Sequence, residues 1–335
     1  MLNAKSSMHW GSMSRFFRLL GIVAGLFAAT TGLVAAQDAV TQPAFNSAQP
    51  ESHQPSPQEI DIMEHLANKS TLDYPCLSPS YICTIQLPKF KPVMLGPLSI
   101  DFSPTKHLVY VILSSLIVGL TFLLVARSVT RAHAQGRPAK GFAGAMEATT
   151  LYIRQEVILP NVGHHGEGYV PYLLTVFFFI LVCNLIGLVP WQGTATGNIA
   201  VTGALALISF IVIEISGMRS LGFRGYMKTI FFLPAGLPTF MKPIILLIMT
   251  PIEIIGKLAK PFALAVRLFA NMTAGHALVL ALIGLTFTFQ SWVIGGASSV
   301  MATSIMMLEL FVAFLQAFVF TLLTAVFIGL MREAH

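Results

Sequence analysis

The chain has 335 residues, of which 55% are hydrophobic and only 10% are charged, and its mean hydropathy is +0.75. Soluble domains carry about 25% charged residues, so this composition excludes a soluble globular protein. Several apolar runs of about 18 residues or more are long enough to cross a bilayer as helices and predict an all-α integral membrane protein. The net charge of +6 does not indicate nucleic-acid binding, because most cations lie in short loops beside apolar runs, where they set orientation.

The amino-terminal segment has the pattern of a secretory signal peptide. Three basic residues precede an apolar run that covers 19–36 and ends in small residues, which predicts cleavage near Ala36. An uncleaved additional span is the alternative interpretation. Both interpretations place the residues that follow on the outer side of the membrane. A mitochondrial presequence fits less well, because the arginines are few and the apolar run is continuous.

Residues 37–106 are polar and rich in Pro, Ser and Gln, which predicts a largely flexible external tail. Cys76 and Cys83 lie in this tail, in a compartment that permits disulfides, so a bridge between them is a candidate. Cys183 stands alone in an apolar run and is predicted to be a small core residue.

Residues 107–335 form the predicted membrane domain with five crossings. The first span, 108–126, is followed at once by four basic residues, which predict that its carboxyl end is cytoplasmic. The segment 141–160 has the mixed polarity of an amphipathic helix at the membrane surface. Spans at 171–189 and 199–215 follow, and both keep the basic loops on the cytoplasmic side.

Two apolar stretches, 237–288 and 297–331, each exceed one upright crossing. As helices they would measure about 75 Å and about 52 Å, against a bilayer core of about 30 Å. Strong tilting, a kink or a break is therefore required. The turn between them has no charge and is predicted to lie outside, which leaves the carboxyl terminus inside.

Three sequence motifs for nucleotide binding or hydrolytic catalysis are missing from the chain. The phosphate-loop pattern G-x-x-x-x-G-K-[ST], H-E-x-x-H and G-x-S-x-G do not occur. The pair His164 and His165 is interpreted as part of a surface loop rather than a metal site. We therefore predict no catalytic site, no metal and no cofactor on this chain.

Few ionisable side chains fall at membrane depth, where they are costly and usually face a water-filled path or a partner. The ionisable set and its neutral polar neighbours are Glu214, Glu253, Lys257, Lys260, Arg267, His276, Glu309, Asn184, Asn271 and Gln316.

Helical spacing orders the polar residues around Arg267. Glu253 lies 14 residues before it, about 21 Å toward the cytoplasm and on nearly the same face. Asn271 is one turn away on the Arg267 side. His276 lies nine residues after Arg267, about 13 Å toward the outside and on roughly the opposite face.

The last helix runs back toward the cytoplasm and carries Glu309 seven residues before Gln316. Both side chains share a face, with Glu309 about 10 Å further out. If Gln316 packs at the same membrane depth as Arg267, then Glu309 and His276 also lie at one common depth, nearer the outside. The set then forms an outer titratable pair, a central fixed cation and an inner carboxylate.

This order suits proton transfer. A carboxylate and an imidazole can exchange protons near neutral pH, whereas an arginine keeps its proton and acts as a barrier. Two paths separated by such a barrier need a carrier, which implies a partner with its own carboxylate. A structural ion pair between Arg267 and Glu309 is the simpler alternative.

Structural roles also stay open for other members of the set. His276 can be a hydrogen-bonded structural residue. Lys257 and Lys260 are expected to extend to the cytoplasmic surface and take part in no chemistry. Glu214 either lies at the membrane–water interface with no functional role or lines an exit path for protons.

The segment "KPFALAVRLFANMTAGH" (260–276) resembles the signature of subunit a, the membrane stator subunit of F-type ATP synthases. Further similarities are "CNLIGLVPW" (183–191), "FFLPAGLP" (231–238), "MTPIEIIGKLAKP" (249–261) and "MLELFVAFLQAFVF" (307–320). The resemblance covers residues 105 to 333.

The resemblance implies that Arg267 is the essential arginine that faces a ring of c subunits. By the same likeness, Asn271 and Gln316 are its polar neighbours, and the last two helices form a strongly tilted hairpin around the ring. The implied partners are the c-subunit ring, b-type peripheral stalk subunits and, indirectly, the F1 catalytic sector.

The resemblance also assigns the two half-channels. His276 and Glu309 match the titratable positions of the outer half-channel, and Glu253 matches the carboxylate of the inner one. Some bacterial members exchange the carboxylate and the imidazole of the outer pair, whereas this chain has the pairing of the mitochondrial type. Gly187 stands where some members carry an Asp, three residues after Asn184.

The signal peptide and tail favour a bacterial inner membrane, with the amino terminus outside and the carboxyl terminus in the cytoplasm; a mitochondrial inner membrane is the alternative. Two rival functions remain. One is a secondary transporter that binds an anionic substrate through Arg267, although no inverted repeat is evident. The other is a structural anchor for a stalk.

Overall fold

A computed structural model describes residues 71–75, 82–88, 93–95, 98–100, 105–163, 166–189, 194–231, 241–289 and 291–333. The predicted signal peptide, 1–36, lies outside these residues, as do His164 and His165. Cys76 also lies outside them, so the bridge to Cys83 stays a prediction.

Within the described part of residues 71–100, the chain forms two antiparallel hairpins. Strands β1 (Thr71–Pro75) and β2 (Ile82–Gln86) pair with Thr71 opposite Gln86. Strands β3 (Val93–Leu95) and β4 (Leu98–Ile100) form the second hairpin. Their β-branched and aromatic residues favour extended backbone. These strands were not predicted from the sequence.

Among the described residues, seven α-helices follow. They are α1 (Lys106–Ala134), α2 (Gly141–Tyr152), α3 (Leu159–Val162), α4 (Val170–Gly187), α5 (Ile199–Ile230), α6 (Lys242–Phe289) and α7 (Trp292–Glu333). Within the described residues, five helices are long and apolar enough to cross a membrane. They begin near the predicted starts of the five spans. The prediction of an all-α integral membrane protein with five crossings is confirmed.

The surface helix consists of α2 and α3 joined by a π-helical stretch, Ile153–Ile158. It ends at Val162, two residues beyond the predicted end at Pro160. Pro160 does not end the helix, because a proline fits the first turn of the short α3. The Arg332 guanidinium donates a hydrogen bond to the Val162 carbonyl at 3.0 Å and lies 5.6 Å from the Tyr169 ring. These contacts fasten the surface helix to the end of α7.

Helix α5 continues well beyond the predicted end of its span at residue 215 and bends at Gly222. This glycine has φ 69° and ψ 165°, a conformation that other residues adopt only at a cost. The bend changes the direction of the last turns of α5. As a result, Tyr226 comes back to contact Glu214, twelve residues earlier.

Helices α6 and α7 pack against each other as a long hairpin. They contain 48 and 42 residues, which correspond to about 72 Å and about 63 Å. Helix α6 stays helical across Pro251 and Pro261. A break in either helix is therefore excluded, and each can be accommodated by a bilayer only through tilt, bending or protrusion.

The core is centred on α4. Leu173, Phe177 and Ile180 are fully buried on this helix, between α1 and α7. Cys183 is buried as predicted. Most large apolar side chains of α1 and many of α6 face outward instead, and Leu116 is 66% exposed. Such faces belong against lipid or a partner.

Candidate functional site

Arg267 lies on an exposed face of α6, in an open groove between α6 and α7. The groove has a volume of about 370 Å³, and Lys260, Leu323 and Phe327 are among its lining residues. Among the described residues, no carboxylate forms an ion pair with Arg267. The structural pair of Arg267 with Glu309 is therefore not formed. An arginine on an apolar surface needs a counter-charge from outside this set.

Small residues surround Arg267 on the exposed face of α6. Ala259, Ala263, Ala270 and Ala274 are all exposed and recur at helical spacing. Side chains of this size allow another helix to approach the backbone closely. Asn271 is exposed on the same face, one turn beyond Arg267. We name this surface, Ala259 to Ala274 with Arg267 at its centre, the arginine face.

His276 and Glu309 line one small cavity between α6 and α7. Leu188, Val279, Leu280, Ile283 and Met306 complete its lining. The space for the centre of a water molecule is about 10 Å³, which is about what one water requires. This is the juxtaposition that the helical register predicts. A carboxylate and an imidazole beside one water-sized cavity can pass a proton between them.

Gly275 allows Glu309 to lie against the backbone of α6. A Cβ at position 275 would collide with the carboxylate of Glu309. Oε1 of Glu309 is buried and accepts no hydrogen bond from the described residues. A buried carboxylate oxygen without a donor is costly, so it is a site for a proton or a water.

Asn184 is fully buried in α4 and connects three parts of the fold. Its amide donates to the carbonyl of Ala313 in α7 at 3.2 Å, and its oxygen accepts from the Thr196 hydroxyl at 2.8 Å. Thr196 in turn contacts the Thr194 hydroxyl at 2.9 Å. The His107 ring lies 3.0 Å from the carbonyl of Thr194. This polar chain joins the start of α1 to α7 through α4.

The remaining predicted residues lie at separate places. Gln316 is buried in α7. Glu253 is partly exposed on α6, 14 residues before Arg267, and the structure does not bring it to the cavity of His276 and Glu309. Within the described residues, no cluster of three or more His, Cys, Asp or Glu residues fits a metal ion.

Glu214 belongs to a buried cluster that joins α5 to α6. Oε2 of Glu214 lies 3.8 Å from Nζ of Lys257 and also accepts a hydrogen bond from the Tyr226 hydroxyl. The Lys257 ammonium lies 4.6 Å from the centre of the Tyr226 ring and donates to the Thr229 hydroxyl at 3.4 Å. We name Glu214, Tyr226, Thr229 and Lys257 the inner cluster.

The expectation that Lys257 extends to the surface is wrong. Its side chain is buried, because a carboxylate and an aromatic ring are available within α5. Lys260 is exposed and lies 5.0 Å from the centre of the Phe327 ring, so its stem follows α7. The two lysines therefore have different environments.

A family model described as "ATP synthase A chain" matches residues 108–329, which is most of the chain. The chain belongs to the ATP synthase A chain family. The match begins in α1 and ends in α7, so it includes every residue of the arginine face, the cavity and the inner cluster.

Individual relatives of the family are similar over most of their length. The chain is 42% identical to "ATP synthase subunit a 2" of Chlorobium luteolum over 302 residues, which is 90% of this chain and 83% of the relative. It is 42% identical to "ATP synthase subunit a" of Chloroherpeton thalassium, with 83% and 78% covered. For the Myxococcus xanthus protein of the same name, the identity is 44%, with 69% and 73% covered.

The Chlorobium match is longer than the part of the chain that follows residue 104. The likeness to this relative therefore includes part of the amino-terminal segment, whereas the motifs indicated residues 105 to 333 alone. These relatives come from bacteria, in agreement with a multi-pass bacterial membrane protein.

Sequence reasoning missed three members of the site in this family member. Tyr226 and Thr229 lie beyond the predicted end of the third span at residue 215, and the glycine bend of α5 that brings them back has no periodic signal in the sequence. Gly275 lies within the segment 260–276, but its contact with Glu309 depends on the packing of α7. A glycine on a helix face opposite a polar residue was the available signal.

Proposed function

We propose that this chain is the proton-translocating stator subunit of an F-type ATP synthase in a bacterial inner membrane. The observation that carries the proposal is Arg267, an exposed arginine on an apolar helix face with no carboxylate paired to it among the described residues. A ring of c subunits, each with a carboxylate, would supply the counter-charge.

Protons enter from the outside at the cavity of Glu309 and His276 and neutralise a ring carboxylate. Asn184 supports this outer path from α4. The neutral site then travels through lipid with the rotating ring. When it returns to the arginine face, Arg267 favours the ionised carboxylate, and the proton leaves past Glu253 to the cytoplasm.

Arg267 separates the two paths because its guanidinium keeps its proton. Asn271 beside it and Gln316 on α7 are neutral neighbours that can hydrogen-bond without cancelling its charge. A proton that descends 100 mV releases about 2.3 kcal/mol, so several protons are needed for each ATP. The chemistry of ATP belongs to the F1 sector, and b-type stalk subunits hold the stator.

This orientation places the amino terminus outside and the carboxyl terminus in the cytoplasm. Arg127, Arg131 and Arg137 then lie on the cytoplasmic side beyond the apolar part of α1, in agreement with the positive-inside rule. The turn between α6 and α7 lies outside.

The experiment is the Arg267→Ala substitution, with Arg219→Ala as a matched control. Arg219 is an exposed arginine on α5, away from the groove. In membranes that contain the assembled complex, we expect Arg267→Ala to abolish proton-driven ATP synthesis and Arg219→Ala to retain it. Unchanged coupling in Arg267→Ala would favour a structural anchor, and loss of solute uptake alone would favour a transporter.

A further inference from the structure

The inner cluster contains a cation that the proposed pathway does not use. Lys257 is 8% exposed, and its ammonium contacts side chains from two parts of α5, before and after the bend at Gly222. A buried ammonium is costly unless a carboxylate and hydrogen bonds compensate it. Glu214 is the compensating group, because it is the carboxylate that lies within 4.0 Å of Lys257 among the described residues.

Helix geometry places Lys257 between the two charged residues of the proposed release path. It lies ten residues before Arg267, about 15 Å along α6, and four residues after Glu253, about 6 Å along the helix. Glu253 is also partly exposed, and Lys260 is the next cation on α6. Lys257 therefore stands beside the route by which protons would leave.

A Glu followed by a Lys four residues later is the favourable arrangement for an ion pair on a helix. Glu253 and Lys257 have this spacing, yet no ion pair joins them in the described part of the chain, and Lys257 pairs with Glu214 across the helix interface. The Tyr226 hydroxyl donates to the same Glu214 oxygen and keeps it in place.

We propose that Glu214 is a positioning residue for proton release: it holds and neutralises Lys257, so that Glu253 stays available to exchange protons. Without Glu214, the Lys257 ammonium would pair with Glu253 and compete with the proton for that carboxylate. It would also add a further positive charge, besides Lys260, on the release side of Arg267. The inference rests on the proposed function and assigns a new role within it.

Lys257 serves the fold in return. Its contacts with Tyr226 and Thr229 fasten the bent end of α5 to α6. Two other roles of Glu214 make different predictions. If the pair only tethers α5 to α6 mechanically, removing Glu214 and removing Lys257 impair pumping equally. In a direct proton relay, the Glu214 carboxylate is needed whether or not Lys257 is charged.

The test compares Glu214→Gln, Lys257→Met and the double variant in inverted membrane vesicles that contain the whole complex. ATP-driven proton pumping is measured, together with the amount of assembled complex. We expect Glu214→Gln to lower pumping per complex about tenfold, because an opposite charge at this range competes strongly with a proton. Lys257→Met and the double variant are expected to pump within about twofold of wild type.

Recovery of proton pumping in the double variant is the result that supports the proposal, because this variant removes the Lys257 cation together with its partner Glu214. Low pumping in both Lys257→Met and the double variant overturns it in favour of a tether. Normal pumping in Lys257→Met with low pumping in the double variant overturns it in favour of a relay. Equal pumping in all variants also overturns it.

The charge exchange Glu214→Lys with Lys257→Glu keeps the pair but moves the cation to α5, and we expect it to pump if it assembles. Wild-type and Arg267→Ala complexes are measured beside these variants. If Arg267→Ala pumps normally, the proposed function itself fails. If Arg267→Ala is inactive and Glu214→Gln is not impaired, only the role of Glu214 fails.

Discussion

At the scale of single residues, contact with a neighbouring helix decides what a polar side chain in this fold can do. Glu309 lies against Gly275 with a buried oxygen that accepts no hydrogen bond from the described residues. Arg267 is exposed and Lys257 is buried, although both are cations of the same helix. The difference arises because α5 offers a carboxylate to Lys257, and no described residue offers one to Arg267.

Glu309→Gln is expected to lower ATP-driven proton pumping by at least about tenfold, because an amide keeps the size of the side chain but cannot take up and release a proton. Pumping in membrane vesicles measures the effect. The control is Glu156→Gln, an exposed carboxylate of the surface helix. Full activity of Glu309→Gln would remove this carboxylate from the proton path.

Gly275→Ala is expected to impair pumping, because the added methyl group would occupy the place of the Glu309 carboxylate and force it away from α6. Gly284→Ala is the matched control. It lies nine residues further along the same helix, where a Cβ would meet nothing within 4 Å. Equal pumping by the two variants would show that the close contact of Gly275 is unimportant.

At the scale of elements, the bend of α5 and the length of the α6–α7 hairpin organise the site. The positive φ of Gly222 turns the end of α5, which brings Tyr226 and Thr229 to Lys257. The hairpin carries Arg267 on its outside and the cavity of His276 and Glu309 between its helices. Two different chemical environments are therefore built on one pair of helices.

Gly222→Ala is expected to destabilise the protein by about 1–2 kcal/mol, because a residue with a Cβ resists a positive φ. Loss of the bend would also separate Tyr226 from Glu214. Thermal unfolding of the purified complex in detergent provides the measurement. Gly203→Ala, on the same helix with open space around it, is expected to unfold at the wild-type temperature or above.

At the scale of the whole molecule, one exposed apolar surface differs from the others. The arginine face combines small residues with a cation, whereas the exposed face of α1 consists of large aliphatic side chains such as Leu116 and Leu120. Lipid is a favourable environment for large aliphatic side chains, but it offers no counter-charge or hydrogen-bond acceptor to an arginine at membrane depth. A protein partner is therefore expected on the arginine face.

Cysteines introduced at Ala263 and Ala270 are expected to be protected from thiol reagents in the assembled complex and to react in the isolated chain. Leu116→Cys, on the exposed face of α1, is the control and is expected to react similarly in both. Labelling yield measured by mass spectrometry distinguishes the two cases. Equal labelling of all three sites in the complex would contradict a partner on the arginine face.

Much of the site could be predicted along one helix. The order of Glu253, Arg267 and Asn271 follows from their spacing alone, since a continuous helix converts sequence separation into depth and direction. The approach of Glu309 to His276 required one assumption about register. The partners of Asn184 could not be predicted, because Thr196 reaches it from a short 3-10 helix whose position depends on the packing of α1, α4 and α5.

The sequence alone was enough to predict a helical protein with five membrane crossings, because insertion depends on the apolar composition of each segment. It was also enough to predict the order of polar groups along α6. The packing of the helices was needed to show that Lys257 is buried against Glu214, that Gly275 makes room for Glu309 and that Arg267 stays exposed. These facts depend on contacts between segments far apart in the chain, and close packing and hydrogen bonding select such contacts when hydrophobicity alone does not.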